Sequence, residues 1–281
     1  MPTVILTGAT RGIGHAAAIE IAQRGADLAI VGRDPERVRA TASEARAAAA
    51  GAPVHEHVAD LAQMDEVRRL ADELLDAYPR IDVLANNAGA MFTSRHVTAD
   101  GFEQTFALNH LAPFLLTSLL LDRLTASAPA RVVTVSSGAH ASGRIDFDDL
   151  QGEQNYSGQR AYSQSKLANV MFTYELARRL DGTGVTATVC HPGVVRTSFG
   201  AEDQAAHMAA MIRVARLFMK TPAQGALTPV YLASSPQVEG VTGRYYANRK
   251  PTTSSKASYD TTAAARLWQA SAALTGMTAT T

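Results

Sequence analysis

The sequence has a single cysteine, Cys190, so no disulfide can form within the chain, and no Cys/His cluster with metal-ligand spacing appears. That scarcity fits a reducing compartment. Neither charge is in excess: 26 Lys and Arg stand against 26 Asp and Glu. A balanced chain without a basic cluster argues against nucleic acid or an anionic membrane surface as its partner. Long apolar runs are missing too. The longest, LAPFLLTSLLL at 111–121, falls well short of the roughly 18 residues needed to span a bilayer. The opening MPTVILTGAT has neither a basic n-region nor a cleavable apolar stretch. There are no repeats and no linker rich in Gly, Ser or Pro. The expectation left standing is a cytoplasmic protein without a membrane anchor.

What is present is enough apolar material, 46% of the residues, for a sizeable core. Short β-branched runs alternate with longer helical patterns. Strands are expected at 3–7 (TVILT), 27–31 (DLAIV), 54–58, 81–85, 130–136 and 184–190. Helices are expected at 12–24, 64–77, 101–124 and 161–180. One more runs from Asp34 and Pro35, an N-cap followed by a first-turn proline, to residue 50. This rhythm predicts an α/β fold, a single domain over 1–281 with a doubly wound parallel sheet of Rossmann type and helices on both faces. Ligands of such sheets bind outside the carboxyl ends of the strands. The residues there carry most of the functional information.

The first strand runs into TGATRGIGHAAA, where Gly8, Gly12 and Gly14 surround Thr10, Arg11 and Ile13. A strand, a glycine-rich turn and a helix N-terminus make a phosphate cradle. The spacing is Gly-x-x-x-Gly-x-Gly rather than Gly-x-Gly-x-x-Gly; a chance turn is the alternative, and the position after the first strand favours a nucleotide. After the second strand come Gly32 and Arg33. Arg33 can pair with a 2′-phosphate through a bidentate fork, with Arg11 as a second positive group, which favours NADP over NAD. Asp34 either faces the ribose or, standing before Pro35, caps a helix. After the third strand, Asp60 and Leu61 place a carboxylate where it can accept from an adenine amino group; capping the helix near Met64 is an equally good reading. The fourth ends in Asn86, Asn87, Ala88 and Gly89, small residues and amides suited to a flat cofactor, or to a plain turn. Tyr162 and Lys166 share a helix face at i and i+4. Asn109 lies inside a helical pattern with a kink expected at Pro113.

Taken in order, TGATRGIG, NNAG, Asn109 in ALNHLAP, VTVSS, AYSQSK and HPGVVRT resemble the short-chain dehydrogenase/reductase family over essentially the whole chain. The interval of 24 residues between Ser137 and Tyr162, the SKLANVMF that follows, and a C-terminal GRYY and LW resemble the retinol dehydrogenase-like branch. The membrane-bound members of that branch carry an N-terminal hydrophobic anchor, which this sequence does not show.

The resemblance implies an oxidoreductase moving a hydride between nicotinamide C4 and an alcohol or carbonyl of moderately apolar character. Tyr162 would give a proton to the carbonyl oxygen, or as phenolate take one from the alcohol. An adjacent ammonium lowers a phenol pKa, a role for Lys166 alongside hydrogen bonds to the nicotinamide ribose. Ser137 would stabilise charge on the substrate oxygen, with Ser136 on the opposite face of the strand. Asn109 would anchor a water relaying protons between Lys166 and solvent. Tyr156, with no lysine four positions on, is set aside. Pro192, Gly193, Val195 and Thr197 in HPGVVRT would meet the cofactor, residues 198–220 would form a substrate lid with Met and Phe suited to an apolar pocket, and 247–281 would be a C-terminal extension. His140 and His191 read as structural. A homo-oligomer through the helices at 101–124 and 161–180 is compatible with the resemblance. The alternative is a catalytically silent NAD(P)-binding sensor on the same fold; the joint presence of Asn109, Ser137, Tyr162 and Lys166 argues against it.

Overall fold

The computed structural model describes residues 1–195 and 219–278. Thr197 and nearly all of the expected lid at 198–220 lie outside the described residues.

Every residue of TVILT is buried as strand β1 (Thr3–Thr7), as a strand covered on both faces requires. Val4 and Leu6 point into one apolar layer and Ile5 into the other. The chain then alternates through α1 (Gly12–Gln23), β2 (Asp27–Gly32), α2 (Pro35–Ala48), β3 (Val54–Val58), α3 (Met64–Ala77) and β4 (Val83–Asn86). A broken helical stretch follows: α4 (Gln104–Phe106), a π-turn (Ala107–Leu111), α5 (Ala112–Leu119) and α6 (Leu121–Ala126). Next come β5 (Ala130–Val135), the long α7 (Gly158–Arg179) and β6 (Val185–His191). Beyond β6 lie α8 (Pro222–Ser234), β7 (Arg244–Ala247), β8 (Lys250–Pro251) and α9 (Thr261–Leu274).

The strands form one eight-stranded sheet in the order β3-β2-β1-β4-β5-β6-β7-β8. All neighbours are parallel except β7 and β8. The order reverses between β1 and β4, the switch point where a doubly wound sheet opens its crevice. On one face, α3, α5, α7 and α9 pack on Ile5, Val31, Leu84, Val132 and Ala187; on the other, α1, α2 and α8 pack on Val4, Leu6, Ile30, Val133 and Val135. The expected Rossmann-type architecture is the one observed.

The continuous helix expected over 101–124 is interrupted. Pro113 has no N–H to donate to the Asn109 carbonyl, and its ring crowds that oxygen. The turn before it widens, so that Ala112 N donates to Ala107 O, five residues back. Upstream, the buried Glu103 carboxylate caps α4, accepting from Thr105 N at 2.8 Å and Phe106 N at 2.7 Å.

Candidate active site

At the end of β1 the chain turns through Gly8, whose φ of +63° is left-handed; a Cβ there would sit 2.6 Å from Ala88 Cα. A Cβ on Gly14 would stand 1.9 Å from the Gly8 carbonyl oxygen. A side chain at Gly8 would push the turn off the loop after β4, and one at Gly14 would push α1 off the turn. Arg11 is the N-cap residue of α1, and no side chain caps this helix. Its first N–H groups and the positive end of its dipole are thus available to an anion. Space that only glycine leaves open, beside uncapped N–H donors, fits the pyrophosphate of a dinucleotide.

The turn is clasped from β4. Thr7 Oγ1 accepts from Asn87 N (3.0 Å) and Ala88 N (3.1 Å), while the Asn87 side-chain amide donates to Thr7 O (2.9 Å) and Gly8 O (3.1 Å). Asn87 therefore spends its amide on the shape of the glycine turn. Thr7 was not among the residues singled out from the sequence. Its place immediately before Gly8 was the available signal.

Arg33 and Arg11 are both exposed. Asp34 is committed to α2: it accepts from Glu36 N (3.1 Å) and Arg37 N (3.2 Å) and pairs with the Arg37 guanidinium at 3.3 Å. The helix-cap reading of Asp34 is the correct one. For Asp60 the cap reading is not. Its Oδ1 accepts from Ala62 N at 3.1 Å in a local turn, and the first N–H of α3, at Met64, instead donates to Asp100 at 2.9 Å. Leu61 is buried in the adjacent core.

Ser137 closes β5 and caps the short 3-10 turn Gly138–Ser142, its Oγ accepting from Ala139 N at 3.2 Å. A backbone N–H only donates, so the hydroxyl proton of Ser137 is directed elsewhere. Ser136, expected on the opposite face, also reaches α7, its hydroxyl donating to the Lys166 carbonyl at 2.7 Å. On α7, Tyr162 is hydrogen-bonded to Ser137. One turn later Lys166 is buried, its Nζ donating to the Val135 carbonyl at 3.2 Å and lying 5.7 Å from the centre of the Tyr162 ring.

Burial lowers the Lys166 pKa to about 8. Burial raises the Tyr162 phenol, and the Ser137 hydrogen bond opposes that rise. The Val135 carbonyl holds the Lys166 ammonium over the phenol ring, and the Ser137 hydrogen bond favours the phenolate.

Asn109 sits on the π-turn. Its Oδ1 accepts from Ala90 N (2.8 Å), and its Nδ2 donates to Ala90 O (2.9 Å) and Ser165 Oγ (2.9 Å), joining the β4 loop to α7. Gly89 lies against this junction: a Cβ there would stand 3.1 Å from both Asn109 Oδ1 and Lys166 Nζ.

After β6, Gly193 N donates to His191 Nδ1 at 3.0 Å. Lys220 fastens this loop, donating from Nζ to Pro192 O (3.3 Å) and Asn248 Oδ1 (2.5 Å), and from its backbone N to Val194 O (2.8 Å). Val195 packs on α8, where a Cβ on Gly225 would meet its Cγ2 at 2.7 Å. Lys220 read as the end of the lid in the sequence; no local pattern there marked it as a fastener. Among the described residues, no three His, Cys, Asp or Glu side chains gather to hold a metal, and no helix is long and apolar enough to cross a membrane.

Known proteins resemble this chain. The family model described as short chain dehydrogenase matches residues 2–207. Retinol dehydrogenase 14 of Homo sapiens is 44% identical over 293 residues, spanning 98% of this chain and 86% of the relative. A Streptomyces protein (strain C5), named as a candidate daunorubicin C-13 ketoreductase, DnrU, is 47% identical over 278 residues, spanning 99% and 93%. The crystal structure of a short chain dehydrogenase from Burkholderia cenocepacia in complex with NADP matches with a TM-score of 0.69 at 26% identity, over 87% of this chain and 94% of that one.

Proposed function

Because the chain belongs to the short-chain dehydrogenase family, oxidoreductases of CH–OH and C=O groups, we propose that it uses NADP to interconvert a moderately apolar aldehyde or ketone and its alcohol. The observation that carries this reading is the grouping of Ser137, Tyr162 and Lys166 at the sheet end beside the glycine turn. The two relatives are named for retinol and for a C-13 ketoreductase of daunorubicin. A moderately apolar substrate suits both names.

When bound, the nicotinamide supplies or accepts hydride at its C4. The chain's residues do the rest. Gly8, Thr10, Arg11, Gly12, Ile13 and Gly14 would hold the pyrophosphate; Asp60 and Leu61 would meet the adenine. Asn87, Ala88, Gly89, Pro192, Gly193, Val195 and Thr197 would line the remainder. Arg33 and Arg11 would take the 2′-phosphate. Asp34 is engaged in capping α2 and in its pair with Arg37, which partly offsets its charge. The NADP bound in the Burkholderia structure supports the same choice.

Tyr162 donates its proton to the carbonyl oxygen as charge develops there. A phenol kept protonated by burial is the form this direction needs. The Ser137 hydroxyl, which accepts from Ala139 N, donates a second hydrogen bond to the same oxygen. Lys166, with a pKa of about 8, is largely an ammonium at neutral pH and holds the ribose hydroxyls. The Asn109 main-chain carbonyl, which Pro113 cannot serve, positions a water that returns the proton from solvent.

Tyr162→Phe removes one oxygen atom. It is expected to cut NADPH-dependent turnover of a panel of aldehydes and ketones by roughly 10²–10⁴-fold, with NADPH affinity unchanged in a fluorescence titration. Undiminished turnover would remove the phenol from the mechanism.

A further inference from the structure

Three residues past Ser137, the ring of His140 is buried with both nitrogens held by backbone groups. Nδ1 lies 2.7 Å from the Ser137 carbonyl oxygen and Nε2 lies 3.0 Å from Ser255 N. A carbonyl only accepts and a backbone N–H only donates. The proton is therefore on Nδ1 and the lone pair on Nε2, a single neutral tautomer. Burial lowers the His140 pKa, against the pull of the Ser137 carbonyl, which keeps that form at neutral pH. The Tyr245 ring packs on the imidazole with centroids 4.9 Å apart.

Ser255 is itself well anchored. Its neighbour Ser254 has Oγ at 2.7 Å from both the Tyr174 hydroxyl on α7 and Ser258 Oγ, and Ser254 N donates to the Tyr259 hydroxyl at 3.1 Å. At the other end, the Ser137 carbonyl accepts twice, from His140 N at 3.1 Å and from Nδ1. With that carbonyl fixed and Oγ held by Ala139 N, rotation of the O–H is the main freedom left to Ser137.

We propose that His140 is a positioning residue: it ties the Ser137 carbonyl to the Ser255 backbone, so that the C-terminal segment sets where the Ser137 hydroxyl stands. This rests on Ser137 acting on the substrate oxygen as proposed above; His140 acts only through it. The sequence reading of His140 as purely structural is thereby extended to the site.

The variants separate hydrogen bonds from bulk. His140→Phe keeps a ring and loses both bonds, while His140→Asn keeps a donor near the Nδ1 position. Ser255→Pro deletes the N–H together with the hydroxyl, at a residue whose φ of −65° already suits proline. Ser255→Ala keeps that N–H. The probe is the best substrate among benzaldehyde, acetophenone, decanal and retinal, with NADPH. His140→Phe is expected to lower kcat roughly ten- to a hundred-fold with KM for NADPH unchanged. His140→Asn and Ser255→Pro, which each break the tie to Ser255 while sparing a donor to the Ser137 carbonyl, should share the loss, and Ser255→Ala should match the wild type.

Unchanged kcat in both His140→Phe and Ser255→Pro would overturn the proposal. Equal losses in His140→Phe and His140→Asn with Ser255→Pro silent would overturn it too, marking a packing role. If His140→Phe does not fold, Ser255→Pro decides. NMR of histidine-labelled protein supplies a readout without turnover: one neutral, Nδ1-protonated ring that vanishes in His140→Asn. A wild type with that signal but no activity on any probe would sink the enzymatic reading and the positioning role with it. Absence of the signal in an active enzyme would sink the positioning role alone.

Discussion

Two adjacent side chains at the end of β2 divide the work there, Asp34 turned to its helix and Arg33 exposed. A charge-assisted, bidentate hydrogen bond contributes about 1.5–3 kcal/mol. Arg33→Ala is therefore expected to weaken NADPH binding by roughly ten- to a hundred-fold while NADH binding barely moves, as read by titration calorimetry. Equal losses for both would count against a 2′-phosphate contact. Tyr162, Lys166 and Gly8 became legible through the ordered set of motifs that resembles the short-chain dehydrogenase/reductase family; the i and i+4 spacing of Tyr162 and Lys166 alone said little. What holds Lys166 in place was not legible. Its Nζ is steered by the Val135 carbonyl, contributed by a strand some thirty residues away, and no local pattern encodes that. The same holds for His140, whose second partner is 115 residues along the chain.

The elements tell a similar story. Strands β1 to β6 and the helices between them stood out because buried strands and amphipathic helices leave strong periodic traces. The π-turn did not. Proline announced an irregularity at 113, but whether a helix answers by kinking or by widening depends on its surroundings. Here the surroundings include the Glu103 cap, to which the Tyr156 hydroxyl also donates at 3.2 Å; the tyrosine set aside for catalysis thus braces the helix that carries Asn109. Glu103→Ala strands these donors and is expected to cost about 2 kcal/mol in a urea titration. A midpoint indistinguishable from wild type would refute the bracing role. The later elements left little trace. β7 and β8 have four and two residues, too few to show alternation, and α8 contains Pro229.

At the scale of the molecule, α9 closes the face formed by α5 and α7. Trp268 stacks on Phe172 at 5.8 Å and meets Phe114 at 5.0 Å in a T-shaped contact, with the Arg179 guanidinium 4.4 Å above it. Ser271 Oγ reaches His110 Nε2 on the π-turn at 2.8 Å. Residues 163–177 of α7 are all buried within the one chain. Trp268→Ala is expected to destabilise the fold by about 3–5 kcal/mol in chemical denaturation. A loss below about 1 kcal/mol would show that α9 adds little to the core.

The order of the sheet leaves β3 and β8 as its outermost strands. On β3, the Val54 carbonyl accepts from Arg46 Nε and Nη2 (3.1 and 2.8 Å), and the Val58 carbonyl accepts from Arg69 Nη2 at 2.6 Å. On β8, which is only two residues long, Pro251 has no N–H to offer. A stray extended peptide arriving at either rim finds guanidinium groups on the acceptors or too short a ladder to zip onto. At high concentration such a molecule resists growing into fibrils.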